Sequence, residues 1–291
     1  MSTLSFDVPT PLAYFATLVA EDQGFALLEA AVAVAQDEVP ELDVQQVLMQ
    51  IDALAARLRQ RIPEDASPLQ RLRLLNRYFF QELGFAGNVN DYYDARNSYL
   101  HEVLVTRRGI PISLALLYLE FAQQAGLTAR GVSFPSHFLV KLRLPRGEVV
   151  IDPFTGMSLS REELEERLLP FRRQRGLVGE FETPLGLFLQ TAPPRDVLAR
   201  LLRNLKEIHR AAEDFARMLA VQERLVILLP QAWEERRDRG LAKAELGLDD
   251  AAAADDLATY LEHCADADDA PALRARLAEL RRAGRARLPN A

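Results

Sequence analysis

Gly109-Ile110-Pro111-Ile112-Ser113-Leu114-Ala115-Leu116-Leu117-Tyr118-Leu119-Glu120-Phe121-Ala122 is the stretch on which the fold turns. A glycine turn opens a run that is apolar on nearly every side, and Ala125-Gly126 stops it, which predicts a fully buried helix with glycine at its end. Beyond it the periodicity shortens. Gly131 to Phe134, Phe138 to Leu144 and Val149 to Ile151 read as strands, with a turn at Pro145-Arg146-Gly147-Glu148, so an antiparallel sheet follows the helix. His137 opens one apolar run and Asp152 closes the next. Antiparallel pairing brings both toward one end of the hairpin, but the simplest register sets Asp152 opposite Lys141, so a bulge or a diagonal reach is needed to join them.

On the N-terminal side, residues 1–75 read as a helical cap: Pro11 to Ala20, Gly24 to Gln36, Asp43 to Arg61, and a fourth helix opened by Ser67-Pro68, where serine caps and proline fits the first turn. Leu48, Ile51, Leu54, Ala55 and Leu58 recur at helical spacing, which burial explains. Between this cap and the buried helix lies Asp91-Tyr92-Tyr93-Asp94-Ala95-Arg96-Asn97-Ser98-Tyr99-Leu100, polar and aromatic. In a structural reading Asn97 or Ser98 caps a helix holding His101 and Glu102 while the tyrosines pack. In a functional one Asn97, Ser98 and Tyr99 line a groove, together with Ser113 and Ser136.

A buried helix entered through a glycine turn, then His on one strand and Asp-Pro on the next, resembles the transglutaminase-like core. That resemblance implies a helix beginning with a nucleophilic cysteine, a histidine that activates it and an aspartate that orients the histidine, the last two being His137 and Asp152 here. Counting back from Gly126, the position matching the cysteine is Pro111, which has no nucleophilic atom. Arg96-Asn97-Ser98-Tyr99-Leu100, Arg107-Arg108-Gly109-Ile110-Pro111-Ile112-Ser113-Leu114, His137-Phe138-Leu139-Val140 and Ile151-Asp152-Pro153-Phe154 together resemble the SirB-type bacterial proteins, which join such a domain to C-terminal tetratricopeptide repeats. Two departures are visible: Ala95 where the family commonly carries Pro, and Ser136 where Gly often precedes the His. The resemblance implies an α+β fold, a papain/transglutaminase-like core of buried helix plus small antiparallel sheet, with N-terminal helices and a C-terminal α-helical region.

Residues 76–192 would then hold this core and a connector. Ser160-Arg161-Glu162-Glu163 is a capping-box pattern that predicts a helix through Leu169, followed by a Gly- and Phe-containing stretch wrapping back over the core. Pro193-Pro194 marks the start of the last segment, 193–291. There an offset of 35 pairs Ala216 with Ala251, Leu225 with Tyr260 and Val226 with Leu261, close to the tetratricopeptide period. Pro230 ends a first unit, Leu246-Gly247 precedes a second, and a helix from Pro271 to Arg282 closes the array. Asp249 to Asp269 holds eight acidic residues and no Lys or Arg, while Arg281, Arg282, Arg285 and Arg287 follow. That asymmetry reads either as a solvated helix face or as a groove for a basic peptide.

Composition narrows the classes. With 49% hydrophobic and 26% charged residues the chain is a folded globular one, and its net charge of −7 gives no general reason to seek nucleic acid. Met1 to Asp7 lacks a basic leader and no apolar run reaches the roughly 18 to 20 residues of a membrane span, so the expectation is a cytoplasmic protein. The single cysteine, Cys264, excludes an intrachain disulfide. His101 with Glu102, and His263 with Cys264, lack further ligands at zinc spacing, and Gly84-Phe85-Ala86-Gly87 lacks the residues of a phosphate loop, so neither metal nor cofactor is expected. Three readings remain. One is a non-catalytic scaffold whose groove near His137 and whose repeats bind a protein or peptide. Another is a hydrolase or acyltransferase on amides or esters, using His137 and Asp152 toward water, Ser113 or Ser98. The third is a purely structural module of some larger complex, for whose binding neither His137 nor Asp152 matters, the pair then only fixing the hairpin end.

Overall fold

The computed structural model describes residues 9–177, 179 and 183–287, which fall into two compact units, Phe25–Leu201 and Met1–Gly24 with Leu202–Ala291. Residues Met1 to Asp7 lie outside the described residues. Helix α1 (Pro11–Leu18) belongs to the unit that also holds the C-terminal helices.

In the unit Phe25–Leu201, local side chains set several helix starts. Helix α2 (Leu27–Ala33) is shorter than the sequence suggests, because its last turn tightens into a 3-10 turn over Val34–Asp37. Asp43 accepts from the Gln46 N–H and opens α3 (Val44–Arg59). Ser67 and Gln70 form a reciprocal capping box, with proline in the first turn, at the start of α4 (Pro68–Asn76). A π-type turn, Arg77–Glu82, continues it and delivers Phe79 to the core. There Phe79 stacks on Phe85 at 4.5 Å between ring centroids and meets Tyr118 and Phe121 edge-on.

Strand β1 (Ala86–Gly87) runs parallel to β2 (Arg108–Gly109), and between them lie a 3-10 turn, Ala95–Ser98, and helix α5 (Leu100–Thr106). Neither Asn97 nor Ser98 caps α5, contrary to the structural reading above. Both belong to the 3-10 turn, and Tyr99 takes the cap position without a side-chain bond. Helix α6 (Pro111–Gln124) is the buried helix, ending at Gly126 with φ of 71°. A four-stranded antiparallel sheet follows in the order β3 (Thr128–Val132), β4 (Leu139–Leu144), β5 (Gly147–Asp152) and β6 (Met157–Leu159). Strand β6 was not legible in the sequence.

The register differs from the expected one. Leu144 pairs with Gly147, so only Pro145 and Arg146 form the turn, and Val140 faces Ile151. Asp152 therefore lies beside Leu139 rather than Lys141, two residues from His137. Helix α7 (Arg161–Arg175) opens on the Ser160 capping box as expected but runs past Leu169, with Pro170 inside it. Pro170 is exposed, so solvent can satisfy the carbonyl it leaves unbonded, and Gly176 in the left-handed region ends the helix instead. Leu164 and Leu168 pack with Val132, Phe134, Leu139 and Val150 of the sheet region. Of the Gly- and Phe-containing stretch, residues 178 and 180–182 lie outside the described residues, and α8 (Leu185–Phe188) adds Leu185 to this core.

Helix α9 (Pro194–Ala211) contributes to both units. In the second, α10 (Phe215–Leu228), α11 (Trp233–Leu246), α12 (Asp250–His263) and α13 (Ala270–Arg287) pack successively, and α10 and α12 begin 35 residues apart, as the repeat offset implied. Phe15 of α1 packs under the guanidinium of buried Arg224 in α10. Several acids of the run 249–269 have structural work. Asp249 caps α12, Asp256 is buried against Arg239 and Lys243, and Asp269 accepts from the Tyr260 hydroxyl and from Arg237. His263 stacks flat on Trp233 at 3.7 Å. Side chains of Arg285 and Arg287 lie outside the described residues.

Candidate functional site

The helix start and the hairpin end meet through β1. Gly87 pairs with Gly109, two residues before Pro111, and its N–H donates to the carbonyl of Phe154, two residues after Asp152, at 2.9 Å. Phe154 covers Gly87 so closely that a Cβ there would stand 2.3 Å from its ring. The same ring lies edge-on to His137, with centroids 6.4 Å apart, and tilts against Tyr92 at 5.8 Å.

His137 Nε2 is 2.8 Å from Asp152 Oδ1. The diagonal reach is made by a turn in which His137 N–H donates to the Phe134 carbonyl and Ser136 takes φ of 56°. A left-handed residue at that position explains why glycine would suit it. Asp152, 1% exposed in its side chain, also accepts from the Phe154 N–H at 2.9 Å and from Arg167 Nη1 of α7 at 2.9 Å. Burial alone would raise its carboxyl, but the bond and charge of His137, the Arg167 pair and the backbone N–H outweigh that and bring it to about 2. Arg167 is a site residue that the sequence reading missed; its spacing from Asp152 carries no motif. With Nε2–H donated to Asp152, the other imidazole nitrogen, Nδ1, has no protein partner among the described residues, and the ring is 22% exposed.

The other predicted site residues divide. Ser136 is exposed beside His137. Asn97, Ser98, Tyr99 and Ser113 are buried and line no surface. Asn97 is a brace: its Nδ2 donates to the carbonyls of Asp91 and Tyr92 at 2.6 and 3.3 Å, its Oδ1 accepts from Asn88, and its own carbonyl accepts from Ser113 Oγ at 2.6 Å. Ser113, 0% exposed, also accepts from the Ile110 N–H at 3.1 Å, so its hydroxyl completes the first turn of α6. The loop Asn97 holds carries Tyr92 and Tyr93 edge to face at 5.3 Å, with Tyr93 78% exposed. Tyr92 is raised in pKa by its burial and by Tyr93, against the opposing charge of Arg200. Arg200 Nη1 in turn donates to Ser133 Oγ at 2.7 Å and to the Phe134 carbonyl, next to the His137 turn. The surface around His137 is thus aromatic and cationic. Among the described residues no group of three or more His, Cys, Asp or Glu side chains is placed to hold a metal ion.

A model of the transglutaminase-like superfamily matches residues 45–203, and a tetratricopeptide-repeat model matches residues 205–278. A UPF0162 protein of Xylella fastidiosa strain 9a5c is 39% identical over 245 residues, spanning 83% of this chain and 85% of that protein. The chain belongs to the UPF0162 family, within the transglutaminase-like superfamily. A UPF0162 protein of Pseudomonas aeruginosa is 33% identical over 70% of this chain and 73% of its own length. F-box only protein 21 of Homo sapiens is 50% identical over 72 residues, 25% of this chain and 12% of that protein. The SirB-type architecture expected from the motifs, a transglutaminase-like domain followed by tetratricopeptide repeats, is therefore that of this UPF0162 chain.

Proposed function

We propose that the protein is a transglutaminase-like recognition scaffold without thiol chemistry, whose surface beside His137 and whose helical repeats bind a protein partner. One observation carries this reading: proline is the first residue of α6, and the nearest hydroxyl in that turn, Ser113, is buried and donates to the Asn97 carbonyl. No nucleophile stands at the helix start. What remains is recognition chemistry. His137 Nδ1 is an acceptor for a partner's N–H or O–H, and Tyr92, Tyr93 and Arg200 supply rigid aromatic and cationic contact. Tetratricopeptide repeats generally present surfaces to protein partners, which supports the second half. The reading needs no cofactor, and no described helix is long and apolar enough to cross a membrane.

A hydrolase or acyltransferase is the second reading, favoured by the open Nδ1 backed by an ionised Asp152, the arrangement of a general base toward water. Two measurements on the purified full-length protein separate them. Incubation with p-nitrophenyl esters and aminoacyl anilides, read by product release and by intact mass, is expected to give neither turnover nor adduct. Turnover lost in His137→Ala, or an acyl adduct on a residue beside the imidazole, overturns the scaffold reading. Crosslinking capture in bacterial cells is expected to recover a partner whose yield falls in His137→Ala and in Tyr93→Ala; equal yield in both variants removes the groove from the proposal.

A further inference from the structure

A concavity in the unit Phe25–Leu201, of about 1010 Å³, is lined by none of the residues around His137. One wall is helical and apolar: Phe25, Leu27, Leu28, Leu48 and Leu119 are all only half-buried there. The opposite wall is Thr128 to Gly131 of β3, and β3 is an edge strand of the sheet. The Gly131 carbonyl accepts from the Ala192 N–H at 2.9 Å, so Gly131 turns its polar groups away from β4. In an antiparallel ladder alternate residues face the same way, which turns the N–H and C=O of Ala129 toward the groove as well. The Ala129 carbonyl is covered by a side chain: the exposed Arg130 donates to it through Nη1 at 3.0 Å.

The N–H groups of Ala129 and Gly131, with the Ala129 carbonyl that only a side chain covers, stand beside an apolar trough and define the occupant. A docked helix has no main-chain groups to give, and a compact ligand leaves the row of edge groups unmatched. An extended main chain offers N–H and C=O at the strand repeat and sends alternate side chains into the trough. Glu29 and Glu120 also line it, each accepting from a neighbouring glutamine, Gln45 and Gln124. We propose that this groove is a strand-addition site, where an extended, apolar-alternating peptide segment of a partner protein pairs with Ala129 and with the Gly131 N–H and displaces the Arg130 side chain. Ala192 already makes the first rung of that ladder, and the peptide continues it.

The test uses the full-length protein and a fluorescein-labelled peptide of alternating valine and lysine, beside an analogue N-methylated on alternate backbone nitrogens. Anisotropy is expected to show saturable binding of the first peptide, weakened at least about tenfold by N-methylation and again at least about tenfold by Leu119→Glu. Arg130→Ala is expected to tighten it several-fold, since the displaced bond is gone. Leu28→Asp, on the other helix, supplies the same loss should Leu119→Glu fail to fold. In amide spectra the Ala129 and Gly131 signals shift on titration. No binding, equal affinity of the two peptides, unchanged binding in both wall variants, or shifts confined to the His137 turn each overturn the proposal.

Discussion

His137 and Asp152 stand 2.8 Å apart although they are not ladder partners: Asp152 pairs with Met157 and lies across from Leu139, and the imidazole reaches it from a turn two residues before that strand begins. That turn is built on Ser136 in the left-handed region, and the carboxylate is held from a third side by Arg167.

Acid sensitivity follows from the carboxylate. Its folded-state pKa, about 2, lies below the roughly 3.9 of an unfolded aspartate, so its contribution is complete above pH 4 and is lost as the pH falls from there through 2. Urea titrations across that range should show Asp152→Asn losing this part of the acid dependence, and at pH 7 the variant should be less stable by about 2 kcal/mol. An unchanged acid profile would remove the ionised pair from the account.

Ser136→Gly should stabilise the fold by about 1 kcal/mol, because only glycine adopts φ near 56° without a Cβ penalty. Chemical denaturation measures it, and the His137 ring signals should stay in place. Ser136→Val should cost more than the glycine change gains.

Gly87→Ala should cost about 1 to 3 kcal/mol, since the new methyl would meet the Phe154 ring. As that ring also lies edge-on to His137, the imidazole resonances should move with it. Destabilisation without a shift at His137 would mean that Phe154 yields away from the site.

In the repeats, Asp256→Ala should lower thermal stability strongly, by about 3 kcal/mol, because it strands Arg239 and Lys243 beside a buried face of α12. Burial raises the Asp256 carboxyl, but the bonds from Arg239 and Lys243 pull it below the usual range, so this support too is lost on acidification. Replacing Asp256, Arg239 and Lys243 together by Leu, Met and Met should recover much of the loss.

Helix starts were readable because the chemistry is local: Ser67 with Gln70 and Ser160 with Glu163 cap within one turn, and Pro111 to Gly126 brackets its own helix. The His137 and Asp152 pairing was legible from strand order, while its register was not, because Pro145-Arg146-Gly147-Glu148 fits a two-residue or a four-residue turn equally well. Arg167 and Arg200 come to the site from later helices, and nothing in their neighbourhoods along the chain announces it. Asn97, Ser98 and Ser113 looked like groove residues because they are polar, yet tertiary packing turned that polarity inward.

Asn97 ties two regions together. Its side chain clamps the segment carrying the paired tyrosines, while its carbonyl accepts from the hydroxyl that completes the first turn of α6. A chimera that imports residues 89–95 from a relative therefore has to import a compatible residue at 97 as well, or the graft will loosen the very helix beside which the new loop must work.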